Sequence, residues 1–344
     1  MSDIAVDLDR LAEWSAGQGL TLRKPLSANR IGMGQSNLTY LVTDADGTRV
    51  VVRRPPRGTL LQSAHDVGRE FRIMSALQDT PVPVPTTIGT AQPGEIEDDV
   101  PVVVMGFTEG LVLNEPGDTD GVPLDVRHAI GIDMARTLAK VHAVDLQQVG
   151  LDDLASHSPY GPRQLKRWTT QLEGSRTRDL PELDRLTQVL QANVPSDDTI
   201  TLVHGDFHLR NVILDPDTGA VRAAVDWELS TLGDPLADLG SLLAYWPQRG
   251  DGPSYLFDAA AEPGFPSRDE LTAAYLEASG RDGATVPFWH ALGLWKIAVI
   301  IEGVRKRAMD NPSNAAKGGP PPAQMVDLLV QRAWRVVDEA GLRA

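Results

Sequence analysis

The stretch from residue 202 to 238 constrains this chain more than any other. It reads Leu-Val-His204-Gly-Asp206-Phe-His208-Leu-Arg-Asn211-Val-Ile-Leu, passes the turn Asp215-Pro-Asp-Thr-Gly219, and resumes as the short strand Val221-Arg-Ala-Ala-Val225. Asp226-Trp-Glu228 and Gly233-Asp234-Pro235-Leu-Ala-Asp238 follow. Short apolar runs closed by turn residues predict strands. Two of them therefore each deliver a carboxylate, Asp206 and Asp226, to their ends, with an amide, Asn211, five residues past the first.

That residue set suits phosphoryl transfer, which asks a protein for positioning and charge neutralisation and for little covalent chemistry. One carboxylate must accept the proton of an attacking hydroxyl. A second carboxylate and an amide oxygen must hold Mg²⁺ against the phosphates of a nucleotide. Asp206, Asp226 and Asn211 have the types and spacing for these roles, and the protein-kinase signature carries the same His, Asp, Asn and second Asp in that order. Gly205 stands where the signature has Arg, and Trp227-Glu228 stands where it has Phe-Gly. Two histidines accompany the loop: His204 is expected to brace its backbone, and His208 either braces it or touches substrate.

The run from His204 to Asn211, together with residues 226–238, resembles the aminoglycoside phosphotransferase family. It resembles in particular the branch containing the kinase-like N-terminal domain of certain large acyl-CoA dehydrogenase family proteins. Val51-Val-Arg-Arg-Pro-Pro-Arg-Gly58, Ser63-Ala-His-Asp-Val-Gly-Arg-Glu70, Arg163-Gln-Leu-Lys-Arg-Trp168 and Trp295-Lys-Ile-Ala-Val-Ile-Ile-Glu-Gly303 are similar to that branch as well, so the likeness covers about residues 25–310. It implies an α+β, two-lobed, protein-kinase-like fold, with a small β-rich N-lobe over residues 1–107 and a larger helical C-lobe over residues 108–344.

Bulk properties limit the alternatives. The chain has 344 residues, 42% of them hydrophobic, which is enough for two cores. There is no run of about 18 apolar residues, and the N-terminus lacks the basic and apolar segments of a signal peptide, so a cytoplasmic protein with no membrane span is expected. The absence of cysteine excludes disulfides, thiolate zinc sites and cysteine nucleophiles. A net charge of −15 argues against a nucleic-acid surface.

Toward the N-terminus, Leu8, Leu11 and Trp14 predict a short amphipathic helix over residues 6–17. Residues 31–42 predict a strand, a tight turn and a second strand, in which Gly32 and Gly34 let backbone N–H groups approach phosphate; Ser36 and Asn37 complete that loop. The strand at 49–54 occupies the place of the kinase strand that carries a lysine. No lysine occurs between Lys24 and Lys140. Arg53, with Arg54 as the substitute, is thus left to supply the cation for the non-transferred phosphates. A helix over 63–77 brings Glu70 back toward Arg53 as its ion-pair partner, as in kinases. Residues 101–107 predict a buried strand, and adenine is expected to meet backbone groups around Gly106, Phe107 and Thr108, with Met105, which by spacing alone is core, behind it.

In the second half, Ile130, Met134, Leu138 and Val141 predict a core helix over 125–145. Arg163 and Arg167 share a helix face, a basic patch in an acidic chain that is either a clamp for an anionic acceptor or a solvated face. Asp234-Pro235 has the form of an N-cap followed by proline, and Asp238 one turn later is expected to brace the catalytic loop. A helix over 286–309 carries Trp295, which either fills the core or borders the acceptor. The resemblance thus implies ATP and Mg²⁺ as cofactors and a small-molecule hydroxyl as acceptor, with His208, Glu228, Arg163, Arg167 and Trp295 as candidate acceptor contacts. The branch implies a hydroxyacyl-CoA or a hydroxy acid, and the wider family an aminoglycoside or amino alcohol. A nucleotide-binding regulatory module without catalysis stays open, because the usual lysine and the Phe-Gly pair are replaced.

Overall fold

The computed structural model describes residues 6–32, 37–56, 67–155, 158–196, 199–252, 258–311 and 319–343. In chain order its elements begin α1 (Leu8–Gly17), β1 (Ser27–Ile31), β2 (Leu38–Thr43), β3 (Arg49–Arg54), α2 (Val67–Leu77), β4 (Thr87–Ala91) and β5 (Val102–Gly106). They continue with α3 (Leu124–His142), α4 (Tyr160–Ser175), α5 (Pro181–Ala192), β6 (Thr201–Val203), β7 (Val212–Leu214), β8 (Val221–Ala224) and β9 (Thr231–Gly233). The last are α6 (Pro235–Ala244), α7 (Arg268–Ser279), α8 (Val286–Asp310) and α9 (Ala323–Glu339). The chain forms two compact units, one of Met1–Gly110 with Arg222–Ser230, the other of Leu111–Val221 with Thr231–Ala344.

The first unit is built on an antiparallel sheet in the order β1-β2-β3-β5-β4. Alternation along the strands divides its residues between two faces. Tyr40, Val42, Val50, Val52, Val102 and Val104 bury one face in a core that includes Leu11 of α1. Asp7 starts α1 by accepting hydrogen bonds from the backbone N–H groups of Asp9 and Arg10, a cap that contributes about 1 kcal/mol. Val51, Val103 and Met105 are buried on the opposite face, where Arg53 reaches Glu70 of α2. Because both faces are covered, β5 reads as an unbroken apolar run. Arg54, one residue on from Arg53, therefore points the other way; it is buried, donates to the carbonyl of Pro55 and lies over the ring of Tyr40.

The segment Arg222–Ser230 groups with the first unit, whereas a division at 107/108 assigns it to the second. Local contacts explain the difference. The N–H of Ala224 donates to the carbonyl of Pro83, and the turn Trp227–Leu229 packs on α2.

The second unit is mostly helical. α8 lies among α4, α5, α6 and α9, which is why it is apolar on nearly every side. It crosses α6 at a pair of glycines: a Cβ on Gly240 would fall 2.3 Å from the backbone of Trp289, and one on Gly293 would fall 2.8 Å from the carbonyl oxygen of Gly240. Among the described residues no helix is long and apolar enough to cross a membrane.

Candidate active site

In the second unit, β6 pairs antiparallel with β9 and releases the loop that carries Asp206. α6 begins immediately after β9, with Asp234 capping the N–H of Leu236, so Asp238 stands one turn inside it, under that loop. Its buried carboxylate accepts from the N–H groups of His204 (2.5 Å) and Gly205 (2.9 Å) and meets Nε2 of His142 at 3.3 Å. Nδ1 of His142 in turn meets the hydroxyl of Tyr275 at 2.7 Å. Burial raises the pKa of Asp238, but His142, His204 and the backbone N–H bonds outweigh burial and hold it below the usual carboxylate range. Asp238 therefore fixes the backbone that presents Asp206.

The Asp206 side chain keeps 27% of its surface exposed. Its Oδ2 lies 3.2 Å from Nε2 of His208 and 3.1 Å from Nδ2 of Asn211, and the same amide nitrogen donates to the backbone carbonyl of Asp206 at 2.9 Å. Burial pushes the Asp206 carboxyl up, yet the hydrogen bond and charge of His208, with the charges of Lys296 and His204, bring it down to about 2. Asp206 is thus ionised throughout the physiological range. Because the amide nitrogen of Asn211 faces Asp206, its oxygen Oδ1 is the end left for a cation.

In the first unit, Asp226 adopts the left-handed backbone, with φ 66° and ψ 60°, a conformation that costs a non-glycine residue about 1 kcal/mol or more and often marks functional positions. Its Oδ1 meets Nη2 of Arg53 at 2.6 Å. Arg53 also places Nε 2.8 Å from Glu70, without hydrogen-bond alignment, and Nη2 3.9 Å from Glu228. The side-chain amide of Asn37 donates to Glu228 at 3.3 Å. Three carboxylates thus surround one guanidinium.

Burial, and after it the charges of Asp226 and Glu228, raise the Glu70 carboxyl to about 7 against the pull of Arg53. Its folded pKa lies above its unfolded one, so folding takes up a proton between pH 4.5 and about 7. The stabilisation from this group is complete below pH 4.5 and is lost as pH rises through 7. Urea unfolding of the nucleotide-free protein should show this loss, on the order of 1–3 kcal/mol, and Glu70→Gln should abolish it. A variant and wild type with parallel pH profiles would refute the assignment.

The remaining candidates divide. Gly32 takes a positive φ of 73°, which glycine adopts without strain; Gly34 and Ser36 lie outside the described residues. Met105 is buried in the sheet, and Gly106 has its N–H committed to the carbonyl of Thr86 at 2.7 Å. Phe107 has the guanidinium of Arg49 over its ring at 4.4 Å, and Phe107 and Thr108 are half-buried.

The five candidate acceptor contacts differ in their surroundings. His208 is buried and bonded to Asp206, as a brace for that carboxylate would be. Glu228 belongs to the group around Arg53. Arg163 donates to the carbonyl of Leu232 at 2.8 Å, and Arg167 is exposed and stacked on Trp168. Trp295 is fully buried and donates to the hydroxyl of Thr187 at 2.9 Å, so it is core.

One residue beside the loop escapes the sequence reading. Lys296, half-buried on α8, brings Nζ to 3.4 Å from the carbonyl of Gly205 and lies over the ring of Trp168 at 5.5 Å. A lysine inside the apolar run of α8 was the available signal.

Among the described residues no group of three or more His, Cys, Asp or Glu side chains could hold a metal ion. The donors singled out at 211 and 226 are an amide oxygen and a carboxylate, hard oxygen ligands that suit Mg²⁺. One oxygen of Asp226 is on Arg53, and its side chain is one-third exposed.

A family model described as "Phosphotransferase enzyme family" matches residues 27–289. Over 354 aligned residues the chain is 34% identical to acyl-CoA dehydrogenase family member 10 of Mus musculus; the match covers 99% of this chain and 32% of that protein. The chain thus spans about a third of the length of that relative. A crystal structure of a provisionally named aminoglycoside phosphotransferase from Ralstonia eutropha superimposes with a TM-score of 0.78 at 31% identity, over 96% of this chain and 99% of the other. An aminoglycoside phosphotransferase crystallised with AMP-PNP and hygromycin B shares the fold, with a TM-score of 0.60 at 14% identity over 92% and 94% of the two chains.

Proposed function

Because this chain belongs to the phosphotransferase enzyme family and is a small-molecule kinase acting on a hydroxyl acceptor, we propose that it uses MgATP and phosphorylates a hydroxyacyl-CoA or hydroxy acid. Asp206 receives the acceptor hydroxyl. The hydroxyl oxygen forms a bond to the γ-phosphorus, the bond from that phosphorus to the β–γ bridging oxygen breaks, ADP leaves, and the hydroxyl proton passes to Asp206. Asp226 and Asn211 would hold Mg²⁺, which would neutralise phosphate charge. Arg53, held by Glu70, steadies the non-transferred phosphates.

The observation that carries this reading is the state of Asp206: ionised, partly exposed, and oriented by His208 and Asn211 from one side. A carboxyl with a pKa near 2 is a weak base, which suits a loose phosphoryl-transfer transition state in which the hydroxyl proton leaves late. The 34% identity to acyl-CoA dehydrogenase family member 10 across 99% of this chain supports the choice of a hydroxyacyl acceptor.

An ADP-release screen over hydroxy acids, their CoA thioesters, aminoglycosides and amino alcohols tests the proposal. Turnover is expected with a hydroxyacyl compound. Turnover confined to aminoglycosides or amino alcohols would contradict the acceptor, and ATP binding without turnover on any alcohol would contradict catalysis.

A further inference from the structure

A second feature of the helical unit bears on the acceptor. α4, α6 and α8 enclose a small cavity whose lining includes Lys296, Trp168, Trp289, Gln164, Tyr160 and Ser241. Its volume is about 20 Å³, roughly the space of one water molecule or one oxygen atom. We infer that this cavity, with Lys296 at its edge, seats an acyl oxygen of the acceptor, a carboxylate or thioester carbonyl oxygen, while Asp206 holds the acceptor hydroxyl. The inference rests on the hydroxyacyl reading above and names the part of this chain that selects such a molecule.

The polar groups of the lining are mostly donors. The indole N–H of Trp289 has no hydrogen-bond partner among the described residues, although the side chain is 2% exposed; a buried donor left unmade costs about 1–3 kcal/mol. Gln164 uses its amide oxygen to accept from Nε1 of Trp168 at 3.0 Å, so its NH₂ is the end left for a ligand. Lys296 has three N–H groups, and its hydrogen bond is the long one to Gly205. Burial lowers the Lys296 pKa against the pull of Asp206 and Asp238, as expected of an ammonium whose lost hydration is incompletely replaced. An oxygen acceptor beside Lys296 would supply a partner for its remaining N–H groups.

A ligand ammonium at the cavity edge would face the Lys296 ammonium, like charge against like charge. This counts against amino alcohols bound through the same pocket. Gly205 directly precedes Asp206 in the chain, so an ammonium at its carbonyl lies beside the carboxylate that receives the hydroxyl.

The test is steady-state kinetics on the full chain with ATP, using a hydroxy acid, its CoA thioester, and the matching diol in which the acyl oxygen function is replaced by CH₂OH. Lys296→Met and Lys296→Gln should raise KM for the acyl acceptor at least tenfold, a larger change than that in kcat, with KM for ATP unchanged. The acid and thioester arms tell which acyl oxygen is used, by which KM the substitution moves. In wild type the diol should have a KM at least tenfold above the acyl acceptor, and in Lys296→Met the two should converge. That comparison holds even where a variant loses stability, because the wild-type arm needs no substitution. Wild type turning over the acyl acceptor with the same KM as the diol, or variants that leave acyl KM unchanged or raise KM for ATP equally, would overturn the role of Lys296 and leave the hydroxyacyl reading intact. Wild type turning over no acyl acceptor at all would overturn both.

Discussion

Asp206→Asn should lower kcat by about 10³-fold while MgATP affinity stays within threefold. General-base contributions fall in the range of about 10²–10⁴, and the amide keeps the shape of the carboxylate but cannot take the proton. His208 and Asn211 both donate toward Oδ2, and an amide oxygen there can still accept from them, so the loop has no reason to rearrange. The folded pKa of about 2 adds a pH prediction. A carboxylate whose pKa is depressed stays ionised until pH falls toward that value, so Asp206 should contribute no acid limb to kcat above about pH 3. Turnover near wild type for the amide variant, measured by ADP release with a confirmed acceptor, would reject Asp206 as the proton acceptor.

Asp226→Ala should weaken nucleotide binding at least tenfold in Mg²⁺ and leave it unchanged, or tighten it, in EDTA. The two conditions separate two jobs of one side chain. With Mg²⁺ the variant lacks a proposed metal ligand. Without Mg²⁺ it lacks a carboxylate that occupies Arg53 at 2.6 Å, and releasing that guanidinium favours phosphate. Titration calorimetry with a nonhydrolysable ATP analogue reads both affinities, and equal losses in the two conditions would point to a role in folding.

The spacing of Asp206, Asn211, Asp226 and Asp238 was legible because local rules govern it: apolar strands, turn residues and an Asp-Pro helix start. The same holds for β3, where alternation puts Arg53 and Arg54 on opposite faces, and for α1 and α3, whose periodicity fixes which residues share a side. Periodicity does not say what covers that side. Trp295 and Arg163 both sit where a helical wheel allows a ligand contact, and tertiary neighbours at Thr187 and Leu232 occupy them instead. α8 is apolar all round, so its pattern gave no direction for Lys296, whose partner at Gly205 is 91 residues away in the chain.

The outer strands were harder to read. β1 (Ser-Ala-Asn-Arg-Ile) and β4 (Thr-Ile-Gly-Thr-Ala) lie at the sheet edges, where the strand signal is weak because one side makes no ladder. The grouping of Arg222–Ser230 with the first unit also depends on contacts distant in sequence, through Pro83 and α2. Local pattern placed the chemistry-bearing residues, and long-range packing decided which of the candidates around them were braces.

The most direct measurement is a crystal structure of the protein with Mg²⁺ and a nonhydrolysable ATP analogue. The account predicts one Mg²⁺ bound by both Oδ1 of Asn211 and the Asp226 carboxylate at about 2.1 Å, with Asp206 facing the γ-phosphate. A metal held by other residues, or a γ-phosphate remote from Asp206, would contradict it.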